Sequence, residues 1–149
     1  PAFLDLDLPG SKVVVGSGPA REPLMAKYPE TPFFIADGDQ DLVRYYNAAD
    51  VFVFPSVTDT FGLVMLEALA CGVPVAAFPV TGPKDVIGTS TVGVLDTDLA
   101  AAAVKAQGID PVLCREHALK FSWDTVVSEF VDYLAPFTPP QEPSAQAAQ

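Results

Sequence analysis

Basic residues are scarce in this sequence. It has 8 lysines and arginines against 19 aspartates and glutamates, which gives a net charge of −11 at neutral pH. A surface this acidic repels polyanions, so nucleic acids and anionic membranes are not expected as partners. Any phosphate ligand would depend on local backbone N–H groups, because the chain offers no general positive field.

Cysteine and histidine are also rare: the sequence has 2 cysteines and 1 histidine. Cys71 and Cys114 cannot form a disulfide framework and favour a reducing compartment, which predicts a cytoplasmic protein. The sequence contains no Cys/His spacing typical of a metal site. No apolar run approaches the roughly 20 residues that span a bilayer, so no transmembrane segment is expected.

Apolar residues are abundant, at 50% of the 149 residues, with a mean hydropathy of +0.31. Strand-like segments alternate with helical segments, which is typical of α/β proteins. We predict a Rossmann-like parallel sheet flanked by helices over residues 1–135. Residues 136–149 are rich in proline, glutamine and alanine, have little to bury, and are predicted to be a disordered tail.

Residues 51–74 show the clearest succession of elements. The unbroken apolar run 51–54 is typical of a strand buried on both faces of a parallel sheet. A polar loop follows it, and a helix is predicted over residues 63–71. Gly72 and Pro74 come next and are ordinary signals for the end of a helix.

Glu67 is the unusual residue of this helix. Its helical neighbours on every side are apolar, so the helix is predicted to be interior and the carboxylate buried. A buried carboxylate needs hydrogen-bonding partners. The commoner interpretation is an internal contact with a backbone amide or an arginine. The functional interpretation is a carboxylate held rigidly to bind ligand hydroxyls.

The loop before this helix predicts an anion site. Backbone N–H groups at a helix start lack partners and lie at the positive end of the helix dipole. Gly62 would let a phosphate approach with no side chain in the way. Asp59 adds a second acid at the carboxyl end of the strand, where open α/β sheets bind ligands. The predicted donors are the amides of Thr60, Phe61, Gly62 and Leu63.

A second glycine loop, residues 16–19, lies between a predicted strand and a predicted helix. Such a loop can cradle a phosphate. On the motif alone, a plain tight turn at Gly16 and Gly18 is the better interpretation.

Helix ends are marked by local signals. Asp39 is a predicted cap, and so is either Asp96 or Thr97. Asp110, followed by proline, and Ser122 are predicted to start the last two helices. The only histidine, His117, is interpreted as a surface or satisfied core residue, not as a catalytic base. An apolar stripe on the final helix predicts either a core position or a contact with another domain. Its members are Trp123, Val126, Val127, Phe130, Val131 and Leu134.

The central stretch resembles the signature of the retaining glycosyltransferases of family four, the sucrose-synthase-like group, which adopt the GT-B fold. That signature has two acids separated by seven residues with Phe-Gly between them, then a Gly-x-Pro-Val turn. The family mostly has glutamate where this chain has Asp59, an acid one methylene shorter. The matching positions are Asp59, Phe61, Gly62, Glu67, Ala68, Gly72, Pro74 and Val75.

The resemblance implies that residues 1–135 are the carboxy-terminal, donor-binding half of a GT-B fold without its first strand–helix unit. In the family, that unit carries an arginine and a lysine that neutralise the leaving diphosphate. The implied partner is an acceptor-binding amino-terminal domain, covalent or separate, with the active site in the cleft between the two. The chain alone is therefore expected to be weakly active or inactive.

The resemblance also implies a nucleotide diphosphate sugar as donor substrate and transfer with retention, with neither a metal nor a cofactor. Glu67 is expected to bind the ribose hydroxyls and Asp59 the transferred sugar, and these two are the catalytic candidates. Gly16 and Gly18 would line the donor cleft, and the backbone around Ala36 would meet the base. The alternative function is a module that binds a nucleotide sugar without turnover, or one that docks another chain.

Overall fold

A computed structural model describes residues 1–134, and the tail predicted at 136–149 lies outside the described residues. Within residues 1–134, five strands and seven helices follow one another. The strands are β1 (Val14–Val15), β2 (Phe33–Phe34), β3 (Phe52–Phe54), β4 (Val75–Ala77) and β5 (Gly93–Leu95). The helices are α1 (Arg21–Lys27), α2 (Asp39–Asn47), α3 (Leu63–Ala70), α4 (Thr81–Ile87), α5 (Leu99–Ala106), α6 (Pro111–Ala118) and α7 (Trp123–Asp132), with a 3₁₀ turn at Leu119–Phe121 before α7.

All strand pairs are parallel, so the predicted α/β class with helices around parallel strands is confirmed. In the described part of the chain, the strands form two sheets instead of one. β1 pairs with β2, and β3, β4 and β5 pair in that order. Within residues 1–134, no strand ladder joins β1 or β2 to the other three strands.

The core is built around β4, whose three residues are fully buried. β4 is the middle strand of its sheet, so both its edges and both its faces are covered. The same burial was predicted for β3 and is wrong there. β3 lies at the edge of the sheet, and only Phe54 is buried, while Phe52 and Val53 are half-buried.

Two predicted caps are corrected by the structure. Helix α5 is capped by Asp98, whose Oδ1 accepts a hydrogen bond from the Ala101 amide at 3.0 Å, and not by Asp96 or Thr97. Helix α2 is preceded by Gly38, so Asp39 is its first helical residue. Asp and Thr are both favoured caps by residue type, and the course of the backbone decides which neighbouring residue takes the cap position.

The predicted caps at Asp110 and Ser122 are confirmed. The Asp110 carboxylate accepts from the amide of Val112 at 2.9 Å, and the Ser122 hydroxyl accepts from the amide of Thr125 at 3.2 Å. Each cap satisfies an amide that the first turn of a helix leaves without a partner.

The apolar stripe of α7 does not belong to the core of the described residues. Trp123 is 84% exposed and Phe130 is 63% exposed, and the other members of the stripe are exposed as well. The core position predicted as one alternative is therefore wrong. Contact with another domain stays a prediction.

Membrane-crossing helices were searched for throughout residues 1–134. None of the helices there is long and apolar enough to cross a bilayer.

Candidate functional site

The candidate site begins where β3 ends. The chain leaves the sheet after Phe54, turns through the loop at Asp59, and enters α3 at Leu63. Gly62 precedes the helix with φ +82°, a conformation that L side chains rarely adopt. The predicted helix is confirmed, because it ends at Ala70 and Gly72 follows with φ +79°.

Gly62 is glycine for a reason other than the one predicted. The residue is buried, and a Cβ on it would lie 2.6 Å from Cε of Met65 and 3.2 Å from Cζ of Phe54. The missing side chain would therefore point into the core, not toward an approaching phosphate. Both the backbone conformation and the packing underneath require glycine here.

Four amides were predicted to be free donors at this helix start, and they are not equivalent. The amide of Phe61 donates to Oδ1 of Asp59 at 3.1 Å. The amides of Thr60, Gly62 and Leu63 have no hydrogen-bond partner among the described residues. An anion at this point would meet unpaired N–H groups and the positive end of the α3 dipole.

Asp59 is exposed, as a ligand-binding acid in a loop would be. Its Oδ1 closes a local turn by accepting from the Phe61 amide. Such a turn is a common role of aspartate and fixes the carboxylate beside the helix start.

The next loop packs directly against this one. Gly82 lies in the first turn of α4 and is buried. A Cβ on Gly82 would lie 3.0 Å from the carbonyl oxygens of both Asp59 and Phe61. The loops that follow β3 and β4 therefore touch backbone to backbone, which holds the helix start of α3 in place.

The predicted burial of Glu67 is wrong. Helix α3 buries Met65, Ala68 and Leu69, whereas Glu67 lies on the opposite side and is exposed. Leu63 shares that side and is 66% exposed. An apolar composition all around a helix does not show which of its sides the rest of the chain covers.

Glu67 nevertheless has a side-chain partner. The hydroxyl of Tyr46 donates to its Oε2 at 3.0 Å, and the carbonyl of Val64 lies 3.4 Å from the same hydroxyl. Tyr46 is only 8% exposed. Burial, and next the hydrogen bond to Glu67, raise the pKa of the Tyr46 phenol.

In the sequence, Leu42, Tyr45, Tyr46 and Ala49 recur at helical spacing, which predicts that Tyr46 faces the core. The contact with Glu67 is not predicted. A buried phenol usually finds an acceptor for its hydroxyl. That rule predicts that an acceptor exists, but it cannot single out Glu67, which is 21 residues away.

A groove of about 290 Å³ runs beside Glu67 between α3 and α6. Its walls are mainly apolar, with Leu66 on one side and Phe121 on the other. Arg115 also lines it, and its guanidinium donates to the carbonyl of Ala70 at 2.9 Å. That contact satisfies a carbonyl at the end of α3.

The remaining predicted residues lie at the ends of β1 and β2. Gly16 and Gly18 are exposed with φ +146° and +142°, and a Cβ on either would meet open space. The positive φ values account for both glycines as turn residues, and the open space leaves room for a ligand. Ala36 is half-buried, and its neighbour Ile35 is exposed.

The two sets of candidate residues belong to different sheets, but α2 connects them. That helix starts just after the end of β2 and carries Tyr46, which contacts Glu67 on α3. All the candidate loops thus follow carboxyl ends of parallel strands, the usual ligand edge of such sheets.

His117 is confirmed as a satisfied residue. Its Nε2 lies 2.8 Å from the carbonyl oxygen of Val86, and the side chain is half-buried. As for metals, no cluster of three or more His, Cys, Asp or Glu side chains that could hold an ion occurs within residues 1–134.

Comparison with known sequences gives a consistent result. Residues 10–108 match the family described as Glycosyl transferases group 1. The D-inositol 3-phosphate glycosyltransferase of Saccharomonospora viridis is 39% identical over 68% of this chain and 26% of its own length. The protein of the same name from Mycobacteroides abscessus is 32% identical over 95% of this chain and 38% of its own. The chain thus spans roughly a quarter to two fifths of these relatives.

Some solved structures have a fold similar to that of this chain. Sucrose-phosphate synthase from Thermosynechococcus elongatus superposes with a TM-score of 0.57 and 29% identity over 80% of this chain and 36% of its own. The pneumococcal O-GlcNAc transferase GtfA, solved with UDP and GlcNAc, superposes with a TM-score of 0.62 and 18% identity over 82% of this chain and 28% of its own. At that identity the second likeness shows the fold alone.

Proposed function

The chain belongs to the group 1 glycosyl transferases, and from this we propose that it is the donor-binding part of a retaining glycosyltransferase. Its ligand is a nucleotide diphosphate sugar. The observation that carries the proposal is the start of α3, where amides with no partner among the described residues lie between two exposed acids, Asp59 and Glu67.

The diphosphate is assigned to the amides of Thr60, Gly62 and Leu63. The barrier to sugar transfer is the departure of the diphosphate from an oxocarbenium-like centre, so fixed donors aimed at the developing charge lower it. The amides are suited to this role because a net charge of −11 leaves no general attraction for phosphate.

The sugar and the nucleoside are assigned to the flanking residues. Glu67 accepts hydrogen bonds from the ribose hydroxyls, and Asp59 contacts the transferred sugar through the oxygen that the Phe61 amide leaves free. Gly16 and Gly18 contribute open backbone at the end of β1, and the backbone at Ala36 meets the base. Neither a metal nor a cofactor enters this scheme.

The rest of the enzyme is assigned to an acceptor-binding amino-terminal domain. The exposed stripe of α7, which includes Trp123 and Phe130, is proposed to pack against that domain. Scattered apolar residues are normal on a surface, whereas a continuous apolar face marks a contact. A cytoplasmic location is proposed because both cysteines are free thiols.

Binding is tested by titrating the chain with UDP, GDP and ADP and with their sugar conjugates, following the melting temperature. UDP is the first choice, since a structural neighbour was solved with it. A rise in melting temperature with one nucleotide supports the donor site. If no nucleotide shifts the transition, the alternative of a protein-docking module is favoured instead.

Turnover is tested with a labelled donor and a broad set of acceptors. We expect little or no transfer by the 149 residues alone, because the acceptor site is assigned elsewhere. Transfer should appear when the chain is combined with the acceptor-binding domain. Donor binding with no transfer or hydrolysis in either arrangement would favour the non-catalytic binding module.

The docking face is tested separately from the donor site. Phe130→Asp places a charge on the α7 stripe, and Val104→Asp places one on another exposed apolar position, on α5. We expect Phe130→Asp to weaken association with the amino-terminal domain and Val104→Asp to leave it unchanged. Equal effects of the two variants would remove α7 from the contact.

A further inference from the structure

Tyr46 is held by the core at a fixed position. The residue is 8% exposed, and its ring packs edge-on against Phe52 with a centroid distance of 5.7 Å. Because close-packed rings occupy defined rotamers, the fold and not the solvent determines where the Tyr46 hydroxyl lies.

Glu67, by contrast, lies on an exposed face of α3 and would be free to sample many rotamers. The Tyr46 hydroxyl donates to Oε2 of Glu67 at 3.0 Å. The second acceptor near that hydroxyl, the carbonyl of Val64, is 3.4 Å away and is the weaker partner. Oε2 of Glu67 is therefore hydrogen-bonded to a core residue, whereas Oε1 has no partner within residues 1–134.

From this geometry we propose that Tyr46 is a positioning residue for ribose recognition. Its hydroxyl holds the Glu67 carboxylate in one rotamer by Oε2, so that Oε1 is presented to the ribose hydroxyls. The inference rests on the proposed function, since it requires that Glu67 binds the ribose. A glutamate that is held in place before the ligand arrives loses less freedom on binding, which increases affinity.

The test compares ribonucleoside diphosphates with their 2′,3′-dideoxy forms. Dissociation constants are measured by calorimetry on the whole encoded protein for the UDP, GDP and ADP pairs, and the pair that the wild type binds most tightly is used. Tyr46→Phe removes only the hydroxyl. We expect it to raise the Kd of the ribonucleotide about threefold to tenfold, the range for one net hydrogen bond. The Kd of the dideoxy form should change less than about twofold.

Tyr45→Phe is the matched control. Tyr45 lies on the same helix and stacks on Phe34 at 5.3 Å, and its hydroxyl makes no hydrogen bond within the described part of the chain. This variant should leave both dissociation constants unchanged. In a Glu67→Ala background, Tyr46→Phe should add nothing, because residues that act through one another do not act additively.

The outcomes separate the inference from the function on which it rests. Equal losses for the ribose and dideoxy forms, or a further loss in the Glu67→Ala background, overturn the positioning role and leave the donor site intact. If Glu67→Ala loses the preference for the ribonucleotide over its dideoxy form and Tyr46→Phe keeps it, the positioning role is also overturned and the donor site stays intact. A wild type that binds no nucleotide overturns both.

A structure of the wild-type protein with the nucleotide provides a readout that does not depend on the folding of a variant. We expect the Tyr46 hydroxyl to stay within hydrogen-bond distance of Glu67 Oε2 while Oε1 contacts a ribose hydroxyl. If the Tyr46 hydroxyl instead donates to the Val64 carbonyl while Glu67 still binds the ribose, the positioning role is overturned and the proposed function is not.

Discussion

The Tyr46 hydroxyl and the Glu67 carboxylate, 21 residues apart in sequence, are joined by a hydrogen bond of 3.0 Å. The contact links α2, which follows the second strand, to the exposed side of α3. It gives an otherwise free glutamate a fixed position one turn beyond the start of α3, where amides have no partner within residues 1–134.

Glu67→Ala should weaken nucleotide binding by about 1–3 kcal/mol, the scale for a hydrogen bond to a charged group. The unfolding free energy should fall by no more than about 1 kcal/mol, because the Tyr46 hydroxyl can turn to the Val64 carbonyl. Calorimetric titration and urea unfolding measure the two effects. Glu116→Ala, at an exposed acid on α6, is the control and should leave affinity unchanged. An unchanged affinity in Glu67→Ala with an intact fold would falsify the ribose role.

Gly62→Ala should destabilise the protein more than Gly10→Ala does. Both glycines have φ between +80° and +90°, so each variant pays the cost of a left-handed conformation, about 1–2 kcal/mol. Only at position 62 would the new Cβ also meet side chains, at 2.6 Å from Met65 Cε. That crowding should add about 1–3 kcal/mol. Urea unfolding of the two variants gives the difference, and equal losses would contradict the packing argument.

Asp98→Ala should reduce the free energy of unfolding by about 1 kcal/mol through loss of the α5 cap. Its carboxylate accepts from the Ala101 amide, whereas the adjacent Thr97 makes no such contact with the helix start. Thr97→Ala is therefore the control and should change stability by less than about 0.5 kcal/mol. If urea unfolding shows that Thr97→Ala destabilises the protein more than Asp98→Ala does, the cap predicted at Thr97 is correct.

Stability should depend on the Cys114 thiol at alkaline pH. Burial, and next the nearby Asp110, raise the pKa of this thiol. A raised pKa in the folded state means that the neutral thiol stabilises the fold below the unfolded-state pKa, about 8.5, and that this contribution is lost as the pH rises above it. We expect the wild type to lose stability relative to Cys114→Ala between pH 7 and about 9.5 in urea unfolding. A constant difference across that range would mean that folding does not raise the pKa of Cys114.

Much of the fold could be predicted from local signals. The end of α3 at Gly72 and the caps at Asp110 and Ser122 follow from residue type, which the sequence shows directly. Strand and helix alternation was enough for the parallel α/β class. The choice of Asp98 over its neighbours could not be predicted, because all of them have side chains that can cap a helix.

The errors concern which side of an element is covered. Helix α3 is apolar throughout, so its composition predicted an interior helix, yet only the side with Met65 and Leu69 is buried. The same limit accounts for the burial wrongly predicted for β3 and for the core position given as one alternative for the α7 stripe. Coverage depends on distant segments, and hydrophobic periodicity contains no information about them. The partnership of Tyr46 with Glu67 is hidden from sequence for the same reason.

The division of the strands into two sheets has a practical consequence for anyone who purifies this chain. β1 and β3 each have, within residues 1–134, one flank of backbone N–H and C=O groups outside any ladder. Such flanks are templates on which other polypeptides add strands, and Val13 beside β1 is 43% exposed. Aggregation should therefore set in as the concentration is raised, and light scattering over a dilution series will detect it. A peptide or a companion segment that occupies those flanks would act as a solubiliser.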